Sequence, residues 1–387
     1  MNEMDATTDD IDQLLRDAKQ LEYGPTRTAL CEEAVRLADT YGYLDKSFEA
    51  RMELVNSSSL GGQPDLMLAT FSWCLSTADK NPSRFGGFNE QYHILWQYKW
   101  VLGSLPEFPH IPKSQIFEVL GDMRERYQKF GSTMHGYYTA ERSVYEDLGD
   151  KKNLVATQKK FNRTPRDFLS DCAACVQDSL ISYHQYFSRY EQAVAAAPPI
   201  LAGRLQCATV PQRTYSKLLN PLFRLGRIEE AMRYHRTQFR AIDGRPGFVG
   251  YVEDHVEFLA LTNNLARAVR IAERHLPMIL AYPAPSMQRL WFRTLTLLFA
   301  LLTDSNQKSI KFRFPEKHAM KTPDDRTTPE KLAEYFEREA RAIAAAYDTR
   351  NGTDMHTQAL NRVPKLMKLV HPYPVSPHRR LDPEDAS

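Results

Sequence analysis

The sequence predicts an all-α fold in which helical hairpins stack into a solenoid. Apolar residues recur at helical spacing along most of the 387 residues, and the alternating apolar and polar runs of strands are almost absent. Short Gly, Pro, Asn and Ser breaks separate the helical segments, which makes consecutive helices antiparallel. A unit that recurs every 37–39 residues favours a solenoid over a bundle.

Helical periodicity predicts fifteen helices in the first 305 residues. They cover 9–21, 25–41, 44–58, 64–79, 89–105, 113–130, 134–148, 151–162, 170–187, 189–199, 210–224, 228–241, 249–262, 264–281 and 286–303. We therefore predict that residues 1–305 form the solenoid.

The repeat is clearest in four segments: LGDKKNLVATQ, FSRYEQAVAAA, LGRIEEAMRYH and TNNLARAVRIA. Each segment has a residue suited to a left-handed helix end at its turn. These turn residues are Gly149, Ser188, Gly226 and Asn263. Five residues later comes an apolar, mostly small residue that allows two helices to approach closely, namely Leu154, Ala193, Ala231 and Ala268.

The composition changes after Ser305. Residues 306–327 combine Pro, charge and a short IKFRF alternation, which indicates an extended connection. Residues 328–363 are predicted as C-terminal capping helices, because a solenoid end must cover its last apolar face. An apolar stripe supports the first capping helix, formed by Leu332, Tyr335, Phe336, Ala340, Ile343 and Tyr347. Asn351-Gly352 is its predicted end, and the Pro-rich tail 364–387 is predicted to be disordered.

The repeat resembles the tetratricopeptide repeat (TPR) family, whose units of about 34 residues carry an apolar first helix, a Gly turn and an Ala-bearing second helix. The best match is formed by Tyr215, Leu218, Leu219, Leu222, Gly226 and Ala231. The Cys-x-x-Cys pair and the DTRNGT segment resemble features of bacterial TPR proteins. The resemblance implies a superhelix whose first helices line a concave groove, where the family usually binds peptides.

Mapping the family's repeat positions onto this chain selects candidate groove residues. The helix 210–224 offers Arg213, Lys217 and Asn220. The preceding repeat offers Asp178, Ser179 and Ser182, and the following one offers Glu253, Asp254 and Glu257. This mixture departs from the repeated Lys, Asn and Arg with which the family's chaperone-tail binders hold a terminal carboxylate. The resemblance thus implies a scaffold or adaptor for another protein or peptide segment, with a peptide-responsive sensor or a zinc-stabilised interaction module as alternatives.

Charge and composition restrict the class of partner. Fifty Lys and Arg against 48 Asp and Glu give a net charge of +2. The overall charge therefore does not predict binding to nucleic acid or to a membrane surface. Nine basic residues against three acidic ones lie between Arg204 and Arg245. We interpret that stretch as a solvated face, with an acidic protein partner as the first alternative and RNA as the second. The absence of a secretory signal and the odd count of five cysteines favour the cytoplasm.

Motif searching predicts no enzyme. The sequence has no phosphate loop, no His-Glu-x-x-His and no Gly-x-Ser-x-Gly. His255-Val256-Glu257 resembles the His-x-Glu of zinc deaminases, but the Pro-Cys-x-x-Cys that this chemistry needs downstream is absent. We therefore interpret His255 and Glu257 as parts of a helix face.

The cysteines offer one candidate metal site. Cys172 and Cys175 fall in the first turn of a repeat, Cys207 follows Cys172 by 35 positions, and His135 lies one repeat upstream. Neighbouring first helices pack about 10 Å apart, so these side chains could meet at a tetrahedral zinc. A second Cys-x-x-Cys is missing, which favours cysteines packed as small apolar residues. The sequence thus predicts no cofactor, and a structural zinc is the alternative.

Overall fold

The computed structural model describes residues 3–61 and 63–375. It is 73% helical, with two very short strands, so the predicted all-α class is confirmed. The helices are α1 (Glu3–Gln20), α2 (Pro25–Thr40), α3 (Leu44–Leu60), α4 (Pro64–Lys80), α5 (Pro82–Phe85), α6 (Phe88–Ser104), α7 (Lys113–Lys129), α8 (His135–Asp147), α9 (Lys151–Arg163), α10 (Ala173–Tyr186), α11 (Tyr190–Ala195), α12 (Pro198–Leu201), α13 (Gln212–Arg224), α14 (Ile228–Gln238), α15 (Val249–Leu261), α16 (Leu265–Leu280), α17 (Pro285–Asp304), α18 (Pro329–Asn351), α19 (Met355–Asn361) and α20 (Val363–Met367). No described helix has both the length and the apolar character that crossing a membrane requires.

The chain forms two compact units. The amino-terminal unit comprises the residues up to Asp171, with Pro283–Pro285 and Arg350–Thr353. The carboxy-terminal unit comprises Cys172–Tyr282, Ser286–Thr349 and the chain from Asp354 onward. The sequence predicted a single solenoid over residues 1–305. The division at Asp171 follows from the pattern of contacts, which the repeat markers do not contain.

Each unit is a run of helical hairpins. In the amino-terminal unit, α1, α3, α6 and α8 pack side by side in that order. Each of them also packs against the helix that follows it in the chain. In the carboxy-terminal unit, α10 packs on α13 and α13 packs on α15, with α11, α14 and α16 as the second helices. The indole N–H of Trp291 on α17 donates to the Val249 carbonyl at 3.1 Å and so joins α17 to α15. We call α10, α13, α15 and α17 the first-helix row.

The predicted turns have one shared conformation. Gly149, Ser188, Gly226 and Asn263 all have positive φ, between 55° and 75°. At Gly226 the backbone N–H donates to Phe223 O at 3.0 Å, and the next N–H donates to Leu222 O at 2.8 Å. This pair of bonds satisfies carbonyls left free at the helix end, and it requires a left-handed residue. The turn prediction is confirmed.

The same turn also occurs where the sequence alignment did not find it. Gly42, Gly131 and Asn306 have φ values of 69°, 79° and 59° and make the same two backbone hydrogen bonds. The four predicted interface residues are fully buried, namely Leu154, Ala193, Ala231 and Ala268. The predicted repeat register is therefore confirmed, and hairpins of the same kind extend into the first 130 residues.

The segment after α17 packs against the last helix pair. Strand β1 (Ile310–Lys311) pairs antiparallel with β2 (Arg326–Thr327), with Ile310 opposite Thr327. The buried rings of Phe312 and Phe314 contact Phe336 of α18. Helix α18 ends at Asn351, and Gly352 has a φ of 67°, as the sequence predicted. The predicted stripe faces inward: Tyr335 and Ile343 are half-buried and its other four members are buried.

The prediction of a disordered tail is wrong for residues 364–375. Helix α20 extends to Met367, and the chain then runs along the end of α15. The His371 N–H donates to Leu261 O at 2.9 Å and the Tyr373 N–H donates to Thr262 O at 3.0 Å. The carbonyls at a helix end need donors, and this extended segment supplies them. Residues 376–387 lie outside the described residues.

Candidate functional site

The candidate site is the exposed side of the first-helix row in the carboxy-terminal unit. On α13, Arg213, Lys217 and Asn220 follow one another at spacings of four and three residues. These spacings put the three side chains on one stripe of the helix. The stripe lies between α10 and α15, the two neighbours of α13 in the row.

Asp178 of α10 is the buried centre of a cluster of charged side chains from α10 and α13. We call this cluster the first ionic step of the row, and the corresponding cluster from α15 and α17 the second. Its side chain is 0% exposed, and it accepts hydrogen bonds from Lys217 Nζ at 2.6 Å and Thr214 Oγ1 at 2.5 Å. The Nε of Arg213 lies 2.8 Å from Asp178 Oδ2. Burial opposes ionisation of this carboxyl, but the charges of Lys217 and Arg213 hold its pKa below the usual range. The step is an ionised acid held by two cations of the next helix.

This geometry corrects the expectation that the charged stripe of α13 faces solvent. The side chains of Arg213 and Lys217 are only 20% and 17% exposed, and Asp178 cannot touch a partner because it is fully buried. Neighbouring first helices lie close enough for long basic side chains to reach across. A buried carboxylate is tolerated only when it is paired and hydrogen-bonded, so the bases turn toward it.

The second step, between α15 and α17, has more acids than bases. Arg293 Nη2 lies 3.3 Å from Glu253 Oε1 and also contacts Glu257 Oε2, while the Thr294 hydroxyl donates to Glu253. Burial raises the pKa of Glu253 to about 7, because Arg293 offsets it only in part and Glu257 adds to it. Burial also raises the pKa of Asp254 well above its usual value, and the charges of Glu253 and Glu257 reinforce the effect.

Glu253 and Glu257 are therefore not open to a partner as the sequence suggested, since both are buried. The predicted residues that stay accessible are the exposed Asn220 and five half-buried ones, namely Ser179, Ser182, Arg213, Lys217 and Asp254. Beneath them, the first step has two bases to one acid, whereas the second has two acids to one base. The row thus presents a polar surface over two buried ionic steps with opposite ratios of acid to base.

His255 belongs to a buried histidine pair. Its Nδ1 lies 2.9 Å from Nδ1 of His235, and its Nε2 lies 3.1 Å from the Ser216 hydroxyl. Burial lowers the pKa of His235 to about 3 and lowers that of His255 as well, so both rings remain neutral near pH 7. Glu257 contacts Arg293 instead of these rings. His255 and Glu257, the two polar residues of the His-Val-Glu motif, thus contact different partners.

Three cysteines converge at the start of the row. The Sγ atoms of Cys172, Cys175 and Cys207 all lie within 4.8 Å of one another, and those of Cys175 and Cys207 are 3.5 Å apart. Cys172 caps α10, where its sulfur accepts the Cys175 N–H at 3.4 Å. His135 belongs to the amino-terminal unit, where its ring lies 4.3 Å from that of Phe161 and burial lowers its pKa.

Sequence reasoning missed Arg293 and Thr294, although a signal for Arg293 existed. Glu253 precedes Arg293 by 40 residues and Glu257 precedes it by 36, while Asp178 precedes Lys217 by 39. A search for opposite charges one repeat apart would have found both steps. It would not have found the exposed aromatic cluster of the amino-terminal unit, where Phe88 lies against Phe130 and Phe168, because those rings come from distant segments.

The described residues define an all-α protein built from stacked helical hairpins, with an ionic row on its first helices. No family model matches the sequence, and no curated protein matches it either. Among solved structures, the TPR domain of P58(IPK) is similar over 93% of this chain and 98% of that chain, at 11% identity and a TM-score of 0.24. At that TM-score the likeness carries no argument about this chain.

Proposed function

We propose that this protein is an interaction scaffold or adaptor that binds an extended or helical protein segment along the first-helix row. The observation that carries the proposal is the row itself. Helices α10, α13, α15 and α17 present polar side chains over steps of opposite charge, and the apolar side chains of the same helices are used in packing between repeats. A surface of this kind recognises another protein segment by position and charge.

The charge order suggests the chemistry of the segment. A ligand with an acidic residue near Lys217 and a basic residue near Asp254 would complement the field of both steps. A segment with the reverse order would meet like charges at both positions. We therefore propose a protein partner whose binding segment has mixed charge, in preference to nucleic acid, which would meet the acidic step of α15.

A binding role also agrees with the state of the titratable groups. Asp178, Glu253 and Glu257 are occupied by Arg, Lys and Thr partners, and His235 and His255 are buried against each other. A general acid or base must reach its substrate, which none of these groups does as they stand. We propose that the row recognises and does not catalyse.

The test uses short random peptides displayed as a library and selected on the full chain. An enriched peptide is then titrated by fluorescence anisotropy against the wild-type protein, Asn220→Glu, and the control Glu229→Arg on the exposed side of α14. We expect Asn220→Glu to weaken binding by about tenfold or more, because it places a negative charge beside the acidic residue of the ligand, and Glu229→Arg to weaken it by less than about twofold, since only Asn220 lies on the row. Binding should also weaken as salt rises.

Two results would refute the proposal: no peptide enriched above background, or equal effects of the two substitutions.

Scattering profiles with and without the selected peptide then separate two versions of the function. A rigid adaptor keeps its profile on binding, whereas a peptide-responsive sensor changes it.

A further inference from the structure

The three-cysteine cluster has the composition and spacing of a metal site. Its Sγ atoms come from the first turn of α10 and from the turn that precedes α13. Tetrahedral zinc with Zn–S bonds of about 2.3 Å places its sulfurs about 3.8 Å apart. The separations here begin at 3.5 Å and stay within 4.8 Å, so small rotations of the side chains suffice to reach that geometry.

The surroundings of the cluster combine burial, which disfavours negatively charged sulfur at Cys175, with hydrogen-bond donors and a cation that favour it. Cys172 and Cys175 lie at the N-terminus of α10, where free backbone N–H groups and the helix dipole favour a thiolate. The Cys175 N–H donates to Cys172 Sγ at 3.4 Å. The guanidinium of Arg213 interacts electrostatically with both Cys175 and Cys207 while it pairs with Asp178. One permanent positive charge therefore lies beside the sulfurs.

We propose that Cys172, Cys175 and Cys207 bind one Zn²⁺ through three thiolate sulfurs, with a water molecule as the fourth ligand. Hexaaqua zinc would lose five waters, and the three thiols would lose three protons. The product, zinc with three thiolates and one water, has a net charge of −1, which Arg213 is placed to neutralise. Cys172 is exposed, so the fourth position opens toward solvent.

Thiolate sulfur determines which metal is expected. Soft sulfur ligands favour zinc or cuprous copper over magnesium or calcium, which prefer oxygen. Such a site would clamp the start of α10 to the turn before α13, two segments more than 30 residues apart in sequence. The proposal is independent of any partner bound along the row.

The experiment loads the reduced full chain with zinc, removes excess metal by desalting, and measures zinc by elemental analysis. The variant is Cys207→Ser, and the matched control is Cys74→Ala, a buried cysteine outside the cluster. We expect one zinc per chain in the wild-type protein and in Cys74→Ala, and substoichiometric zinc in Cys207→Ser. A chelator should lower the melting temperature of the first two proteins and leave that of Cys207→Ser unchanged, because metal binding is coupled to folding.

Cobalt substitution keeps the test decisive even where Cys207→Ser fails to fold. Co²⁺ added to the reduced wild-type chain should give sulfur-to-cobalt charge-transfer absorption and the visible bands of a tetrahedral site, and Zn²⁺ should displace both. A wild-type protein that retains no zinc and shows no charge-transfer band would overturn the proposal in favour of three packed thiols. Undiminished zinc in folded Cys207→Ser would overturn it too, because the metal would then lie elsewhere.

Discussion

Both ionic steps of the first-helix row pair buried acids with bases on the next first helix, but the ratio of acids to bases is reversed between them. Between α10 and α13, one buried acid, Asp178, is held by Arg213 and Lys217. Between α15 and α17, the acids Glu253 and Glu257 share Arg293. The pKa of Asp178 is lowered, whereas burial raises the pKa of Glu253 to about 7. The number of cations, and not burial alone, decides whether a buried carboxyl stays ionised.

The contrast shows how a repeat protein varies its surface without changing its packing. In both steps an acid reaches a base or hydroxyl 35 to 41 residues later on the next first helix. The helices supply a constant geometry, and the residue types set the local charge. One row can therefore offer a partner regions of different sign at fixed separations.

The largest effect is expected from Asp178→Asn. The substitution leaves the half-buried Arg213 and Lys217 without their shared counter-charge, so the free energy of unfolding should fall by about 3–5 kcal/mol. Urea denaturation measures the loss. The control is Asp65→Asn, whose side chain is 80% exposed, and it should change stability by less than about 0.5 kcal/mol. Similar values for the two variants would mean that the first step does not depend on its acid.

An intermediate and pH-dependent effect is expected from Arg293→Met. The raised pKa of Glu253 means that the folded protein binds more protons there than the unfolded chain does, between the ordinary value of 4.5 and about 7. Its contribution to stability is thus fully present below pH 4.5 and is lost as pH rises through 7. Without Arg293, Glu253 can relieve its repulsion with Glu257 only by taking up a proton.

The loss of stability in Arg293→Met should therefore be larger at pH 8, at about 2–3 kcal/mol, than at pH 5.5, where it should be about 1 kcal/mol. Urea unfolding at both values measures it, with the exposed Arg338→Met as the control. We expect the control to lose little at either pH. Equal losses for Arg293→Met at both values would show that Glu253 stays ionised, as Asp178 does.

The smallest effect is expected from Asn220→Ala. Asn220 is exposed on the same stripe as Arg213 and Lys217 but takes no part in either step, so stability should change by less than about 0.5 kcal/mol. The adjacent Leu219 is fully buried, and Leu219→Ala should cost about 2–5 kcal/mol. Thermal unfolding of both variants compares the two faces of α13. A large loss in Asn220→Ala would contradict its exposed position.

The sequence by itself determined the local architecture of this protein. Gly149, Ser188, Gly226 and Asn263 were predicted from their residue types, because a helix that ends in a left-handed turn accepts few residues there. The buried Ala231 and Ala268 were predicted because closely packed helices need small side chains. These features depend on neighbours within one hairpin, so a short stretch of sequence contains the information.

Only the tertiary structure decided which distant side chains meet. The pairing of Asp178 with Lys217 and of Glu257 with Arg293, and the convergence of Cys175 with Cys207, all join segments more than 30 residues apart. The contacts of His371 and Tyr373 with the end of α15 join residues that are even farther apart in the sequence. Such contacts depend on the positions of neighbouring helices within about an ångström, because hydrogen bonds and ion pairs weaken steeply with distance. Residue spacing along the chain does not specify positions that closely.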